Sequence, residues 1–181
     1  TELLADVLAV GGLQDFSFSK FKTSELRGHD ALESYLEPGD IHVSDRLYSS
    51  YEIIARHLEK GVHSIGRPHQ ARKIDYRKGR KLGPNDRLQT LQKPLAQPKR
   101  SRLTKEQWAA LPATLEVRII RSKGPDREGK QRVRYVLTIL LDPIKYPAEE
   151  VADLYMERWQ IEAKFRDLKT TLGMERFAVK T

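Results

Sequence analysis

Cysteine is absent from the chain, which excludes disulfide bonds and thiolate metal sites. Long apolar runs are missing too, since none approaches the roughly 20 residues that a membrane-spanning helix needs. No secretory signal is visible. The composition, with 39% hydrophobic and 32% charged residues, is that of a folded, water-soluble protein. We therefore expect a cytoplasmic protein without a membrane partner.

Acidic residues are scarce in one basic segment. From Arg67 to Lys105, thirteen Lys and Arg residues stand against only Asp75 and Asp86, a local charge of +11. The whole chain carries +8, so the rest of the chain is slightly acidic. Such a concentration of positive charge favours contact with a DNA backbone, and a solvated surface is the alternative. The densest part is a basic tip formed by Arg77, Lys78, Arg80 and Lys81.

The C-terminal part of the chain has the signals of a long helix from Pro147 to Leu172. Pro147 suits a first turn, and Gly173 follows the last one, where a left-handed cap is expected. At about 100° per residue, the apolar side chains gather on one stripe that should face the core. That stripe consists of Val151, Leu154, Ile161, Phe165, Leu168 and Leu172.

A second stripe of this helix surrounds one carboxylate, Glu162, with cations and a phenol. At about 100° per residue, Tyr155, Arg158 and Lys169 all fall within about 40° of Glu162. Oppositely charged residues four positions apart are common on helices and contribute a few tenths of a kcal/mol. Pairing of Glu162 with Arg158 and Arg166 as plain scaffolding is therefore the alternative interpretation.

Another acidic residue, Asp45, ends a predicted short strand. Apolar and polar residues alternate from Asp40 to Asp45. A helix that opens at Ser49 or Ser50 and runs to Lys60 follows. A carboxylate at the C-terminal end of a strand points into the crevice where α/β sheets bind ligands. An ordinary turn aspartate is the alternative.

The spacing of Tyr155, Arg158, Glu162 and Lys169, Y-x2-R-x3-E-x6-K, resembles the signature of DDE transposases of the IS-four family, which move bacterial insertion sequences. The stretches LEPGD, GVHSI and FRDLKTTLGM are similar to that family too. The resemblance implies that Glu162 is the third catalytic acid and Asp45 the second. It also implies that Tyr155, Arg158 and Lys169 contact transposon-end DNA.

The resemblance further implies an α/β fold, with a ribonuclease-H-like core and a β-rich insertion between the second catalytic Asp and the Glu helix. Residues 1–66 would form the first part of the core, residues 67–141 the basic insertion and residues 142–181 the catalytic helix. The first catalytic Asp is expected upstream of residue 1. We therefore expect a fragment that is inactive alone.

The implied reaction is metal-dependent cleavage and strand transfer of double-stranded DNA. Two Mg²⁺ ions, for which Mn²⁺ could substitute, would be held by Asp45 and Glu162. The full-length protein is expected to act as a dimer in a synaptic complex, in the bacterial cytoplasm with the nucleoid. A non-enzymatic nucleic-acid-binding module and a nuclease of the same fold remain open as alternatives.

The remaining elements are predicted from local signals. Pro and Gly in the basic segment favour hairpins and loops. Thr104 and Gln107 form a capping-box pattern that opens a short helix ending at Ala110. The five histidines show no metal-ligand spacing, and Trp108 is predicted to pack in the core. The other predictions are strands at Leu3–Val10, Gln14–Phe21, Val62–Gly66, Ile74–Tyr76, Leu115–Arg121 and Arg132–Leu141, and a helix from Thr23 or Ser24 to Leu36.

Overall fold

The computed structural model describes residues 2–7, 13–19, 33–69, 72–125 and 130–158. These residues form a mixed α/β arrangement. In chain order its elements are β1 (Glu2–Val7), β2 (Leu13–Ser19), β3 (Ile41–Val43), a 3-10 turn (Arg46–Tyr48), α1 (Tyr51–Lys60), β4 (His63–Gly66), β5 (Arg80–Gly83), β6 (Asp86–Gln92), α2 (Lys105–Ala110), β7 (Thr114–Pro125), β8 (Gln131–Thr138) and α3, which is helical at residues 148–158.

Six of these strands form one sheet in the order β3-β4-β8-β7-β6-β5. β3 and β4 are parallel, and every other neighbouring pair in this sheet is antiparallel. β4 joins β8 through the pairs Ile65–Thr138 and Gly66–Leu137. The parallel pair and the long β7–β8 hairpin are therefore parts of one continuous sheet. β1 and β2 form a separate antiparallel pair.

Helices cover both faces of the six-stranded sheet. Ile54 of α1 packs in one cluster with Ile119 and Leu137. Val151 of α3 packs in a second cluster with Ile120 and Val136. Neighbouring strand residues point to opposite faces, so the two clusters lie on opposite sides of the sheet. The apolar run in β8 and just after it is buried, as expected, because both of its faces are covered.

Local capping signals are confirmed. The Ser50 side chain accepts a hydrogen bond from Ile53 N and begins α1, which ends at Gly61 with φ +75°. Thr104 and Gln107 form the predicted capping box of α2. In α3, the first helical hydrogen bond runs from Val151 N to Pro147 O at 3.1 Å.

Other predictions of secondary structure were wrong in detail. The strand predicted at Ile74–Tyr76 is not formed. β5 and β6 form a hairpin of the kind predicted for the basic segment, but their positions were not predicted. Their sequences are rich in charged and polar residues, so they lack an apolar alternation. Backbone pairing holds them in place, β5 to β6 and β6 to β7. β3 is shorter than predicted, β7 continues to Pro125 and β8 ends at Thr138.

Some predicted segments lie outside the described residues. These are residues 159–172 of the long helix and all of the helix predicted to end at Leu36 except its last few positions. No helix within the described ranges is long and apolar enough to span a membrane.

Candidate active site

Asp45 lies two residues beyond β3, at the start of the 3-10 turn. Its Oδ1 accepts a hydrogen bond of 2.7 Å from Arg46 N, which fixes the carboxylate at the N-terminal end of that turn. Ser44 N donates to Ile65 O at 2.9 Å and extends the parallel pairing up to this point. The predicted position of Asp45 at the C-terminal edge of the sheet is therefore observed.

Gly66, the last residue of β4, allows the Asp45 turn to close on the sheet. A Cβ atom at Gly66 would lie 2.4 Å from Ser49 Oγ and 3.3 Å from Ser44 O. Real Cβ atoms do not approach other atoms at the first of these distances. A larger residue here would require the Ser49 side chain to rotate and the backbone at Ser44, next to Asp45, to shift slightly.

The C-terminal helix faces the same edge of the sheet. Tyr155 of α3 is only 1% exposed and packs in the cluster that contains Ile65 and Val151. The Arg158 guanidinium lies over the Tyr155 ring, with Cζ 5.6 Å from the ring centroid. This burial places the Tyr155 ring in the core. A contact between Tyr155 and DNA stays a prediction.

Tyr155 packs close to the strand that leads to Asp45, since its cluster includes Val43, two residues before Asp45. Burial raises the pKa of the Tyr155 phenol; the positive charges of Arg158 and Arg67 lower it, and the negative charge of Asp45 raises it. These three charged residues therefore contribute to the electrostatic environment of Tyr155. Glu162 and Lys169 lie outside the described residues.

Arg67 was missed as a site residue by the sequence reasoning. It follows β4, and β4 is parallel to β3, so the C-terminal ends of the two strands meet at one edge of the sheet. The Arg67 side chain is partly exposed. The signal that could have identified it is its place directly after the strand paired with the Asp45 strand.

The basic tip consists of a turn and an edge strand. Arg77 and Lys78 lie in the turn before β5, and Arg80 and Lys81 lie in β5 itself, and all four are exposed. Arg77 donates to Asp75 Oδ1 at 3.1 Å, which raises the pKa of Arg77 and lowers that of Asp75. Part of the charge of Arg77 is therefore already balanced within the protein.

The Asp45 carboxylate, at the C-terminal edge of β3, is a suitable ligand for a hard divalent cation. One oxygen of Asp45 accepts the Arg46 amide, and its other oxygen takes part in no hydrogen bond or ion pair within the described ranges. Carboxylate oxygens are the ligands that Mg²⁺ and Mn²⁺ prefer. No group of three or more His, Asp or Glu side chains able to hold a metal occurs among the described residues.

Comparisons with known proteins agree with this geometry. The family model described as "Transposase DDE domain" matches residues 15–181. The chain is 30% identical over 138 residues to "Transposase InsG for insertion sequence element IS4" of Escherichia coli (strain K12). That alignment covers 68% of this chain but only 28% of the relative. No solved structure matches.

Members of this transposase family generally depend on divalent metals and act on DNA. The matched range includes the described candidate residues Asp45, Tyr155 and Arg158, and also Glu162 and Lys169. By its sequence and by the match over most of its length, the chain belongs to the DDE transposase family, of the IS4 type.

Proposed function

We propose that this chain is the catalytic domain of a DNA transposase that cleaves phosphodiester bonds at insertion-sequence ends and joins those ends to target DNA. The observation that carries the proposal is that Tyr155 packs in one cluster with Val43 of β3, two residues before Asp45, and with Ile65 of β4. Tyr155 lies on the helix that leads to Glu162. Seven residues are close to two helical turns, so continuation of α3 would bring Glu162 onto the Tyr155 side, about 10 Å further along the axis.

The fold supports a ribonuclease-H-like core. Asp45 follows a strand of a parallel pair, and α1 and α3 cover opposite faces of the sheet. In this proposal, residues 67–141 are the basic insertion, and their strands continue the core sheet through β8. The first catalytic Asp would come from a part of the intact protein that precedes residue 1, so the 181-residue chain should be inactive alone.

Asp45 and Glu162 would hold two Mg²⁺ ions, for which Mn²⁺ could substitute. Such ions supply charge neutralisation at the reacting phosphate and a nucleophile that is active at neutral pH. The turn held by Arg46 N and Gly66 keeps the Asp45 carboxylate in place before DNA arrives. This preorganisation matters because a site that is loose by about 1 Å loses much of its activity.

Arg158, Lys169 and Arg67 would bind the DNA phosphates on either side of the reacting bond. The buried Tyr155 ring supports the Arg158 guanidinium from below, which limits the orientations that the guanidinium can take. The partner is double-stranded DNA, and two copies of the intact protein would hold two element ends in a synaptic complex. We place this activity in the bacterial cytoplasm, with the nucleoid.

The test uses the intact transposase and labelled element-end DNA. Asp45→Asn and Glu162→Gln should abolish cleavage while DNA binding is retained, since only the charge needed by the metal is removed. Arg158→Ala and Lys169→Ala should weaken both complex assembly and cleavage. Tyr155→Phe should be milder, because only a hydroxyl group is removed.

Glu157→Gln is the matched control, since Glu157 lies on the same helix and is exposed. It should leave cleavage unchanged. If the Glu162→Gln protein kept full cleavage, Glu162 would have no catalytic role, and its pairing with Arg158 and Arg166 would be structural only. Cleavage without joining of ends to a target would favour the nuclease alternative.

A further inference from the structure

A second group of cations lies on the α1 face of the sheet, on the strands far from β3. Two guanidinium groups flank the ring of Tyr76: Arg87 Cζ is 5.5 Å and Arg121 Cζ is 5.2 Å from the ring centroid. The Tyr135 ring packs beside Tyr76 at 5.7 Å between centroids. We call Tyr76, Arg87 and Arg121, with the neighbouring Lys81, the Tyr76 cluster.

The fold places Tyr76 over the sheet through a tight turn. Gln89 Nε2 donates to Asp75 O and to Lys78 O, each at 3.0 Å, and so holds both ends of this turn on β6. Gly79 has φ +86°, and a Cβ atom there would lie 2.1 Å from Leu88 O. Only glycine allows the turn to approach β6 so closely.

The strand register gathers the cations of the cluster on one face. Lys81 of β5 lies directly opposite Arg87 of β6. Arg87 in turn pairs with Ile119, two residues before Arg121, so the side chains of Arg87 and Arg121 point to the same side. Like charges directly opposite each other destabilise a sheet. This arrangement therefore calls for a compensating anion.

The two acidic residues of the basic segment are already paired with other cations. Asp86 pairs with Arg118 on the other face of the sheet, and Asp75 is engaged by Arg77. Arg121 donates to the neutral Asn85 side chain at 3.1 Å. The negative charge of Asp86 contributes to the raised pKa of Tyr76, but the hydrogen bonds of its carboxylate go to Arg118 and not to Arg87 or Arg121.

Two polar atoms of the cluster are buried without a hydrogen-bond partner among the described residues. They are Tyr76 Oη and Arg87 Nε. Burial raises the pKa of Tyr76, so its hydroxyl remains protonated and can donate. A buried donor without a partner costs about 1–3 kcal/mol. An incoming acceptor near these atoms would remove that cost.

We propose that the Tyr76 cluster binds a backbone phosphate of double-stranded DNA, at a point separate from the reacting bond. A phosphate offers acceptor oxygens and negative charge to two guanidinium groups and one phenol at once. The ligand class rests on the proposed function, because DNA is the polyanion on which a transposase acts. The cluster would fix the position of DNA on the insertion and would carry no chemistry.

The test measures binding of the 181-residue chain to a short duplex DNA by fluorescence anisotropy over a salt series. Arg87→Gln should lower the slope of log affinity against log salt by about 1, the loss of one phosphate contact. Tyr76→Phe should weaken binding about tenfold at fixed salt. Tyr76→Phe should leave the melting temperature unchanged, since the Tyr76 hydroxyl has no hydrogen-bond partner among the described residues. Arg87→Gln also removes the contact of the guanidinium with the Tyr76 ring, so a small fall in its melting temperature is expected.

Arg100→Gln is the matched control, an exposed arginine of the same basic segment. It should change the salt slope less than Arg87→Gln does. An equal change would mean that net charge alone is measured, and the proposal would fail. It would also fail if Arg87→Gln and Tyr76→Phe lowered the melting temperature and left binding unchanged, since the cluster would then be packing only.

These outcomes are distinct from failure of the proposed function. If the intact Glu162→Gln protein kept full cleavage, the catalytic assignment would be wrong, and the proposed phosphate contact would be unaffected. Unchanged DNA binding by the Tyr76 cluster variants, with cleavage still dependent on Glu162, would overturn the phosphate contact alone.

Discussion

At the scale of single residues, buried polar side chains join the elements around Asp45. His57 is fully buried, with Nδ1 2.5 Å from Ser64 Oγ and Nε2 3.5 Å from Glu33 Oε1. Glu33 also pairs with Arg56 at 2.6 Å. The His42 ring lies 5.1 Å from the His57 ring. These contacts tie β3, α1 and β4 together, and His42 and His57 are packed residues, as predicted.

His42 gives the fold a pH dependence. Burial lowers the pKa of His42 from 6.5 to about 4. Between these values the unfolded chain binds a proton that the folded chain does not, so stability falls as the pH drops from about 6.5 towards 4. The loss can reach about 3 kcal/mol. Urea unfolding at pH 7 and at pH 5 measures it.

His42→Phe keeps a ring of similar size and removes the titrating group. The free energy of unfolding of His42→Phe should differ less between pH 7 and pH 5 than that of the unchanged protein. This holds whatever effect the substitution has on stability at pH 7. Burial raises the pKa of Glu33. Protonation of Glu33 therefore increases the stability of the folded protein as the pH falls towards 4.5, which is opposite to the effect of His42. This contribution is the same in the unchanged protein and in His42→Phe. An equal pH dependence in the two proteins would contradict the assignment to His42.

At the scale of elements, one buried arginine connects the sheet to the start of the C-terminal helix. Arg118 of β7 is fully buried and donates through Nε and Nη2 to the Asp86 carboxylate of β6. Its Nη1 donates to Leu140 O at 2.7 Å and to Tyr146 O at 2.9 Å. The segment that leads into α3 is thereby fixed to the sheet, so Arg118 helps to position Tyr155 and Arg158.

Arg118→Met should destabilise the protein by about 4 kcal/mol, because it leaves the buried Asp86 carboxylate without a partner. The measurement is urea unfolding at pH 7. The double variant Asp86→Leu with Arg118→Met should recover part of this loss, since it removes the unpaired charge. A loss below about 1 kcal/mol for Arg118→Met would show that the pair is not needed to hold the segment before α3.

At the scale of the whole molecule, the sequence predicted elements with strong local signals. Ser50 and Thr104 cap their helices as expected, and the apolar run that begins in β8 is buried. Hairpins were predicted in the basic segment, but the positions of β5 and β6 were not, because their residues are polar and the pairing of β5 to β6 and of β6 to β7 depends on register, which local patterns do not encode. The Arg118–Asp86 pair was missed for the same reason.

The candidate site was predictable in part. The position of Asp45 followed from a strand that ends before a helix, and Tyr155 and Arg158 followed from helical spacing and the family resemblance. Arg67 was not singled out, because its place beside the end of the Asp45 strand depends on the parallel pairing of β3 and β4. The burial of Tyr155, which is only 1% exposed, was not predicted from the sequence.

The central claim is that Asp45 and Glu162 converge on one metal site, with carboxylates within roughly 8 Å of each other, as two-metal chemistry requires. Iron-directed cleavage tests it most directly. Fe²⁺ bound to the intact transposase in place of Mg²⁺, with ascorbate and peroxide, generates radicals that cut the main chain near the metal ligands. Mass spectrometry locates the cuts.

The account predicts two groups of cuts, one close to Asp45 and one close to Glu162, both suppressed by excess Mg²⁺. Asp45→Asn should weaken both groups together, because both arise from one bound metal centre. Cuts at only one of the two positions, or cuts that Asp45→Asn leaves unchanged, would contradict a shared site.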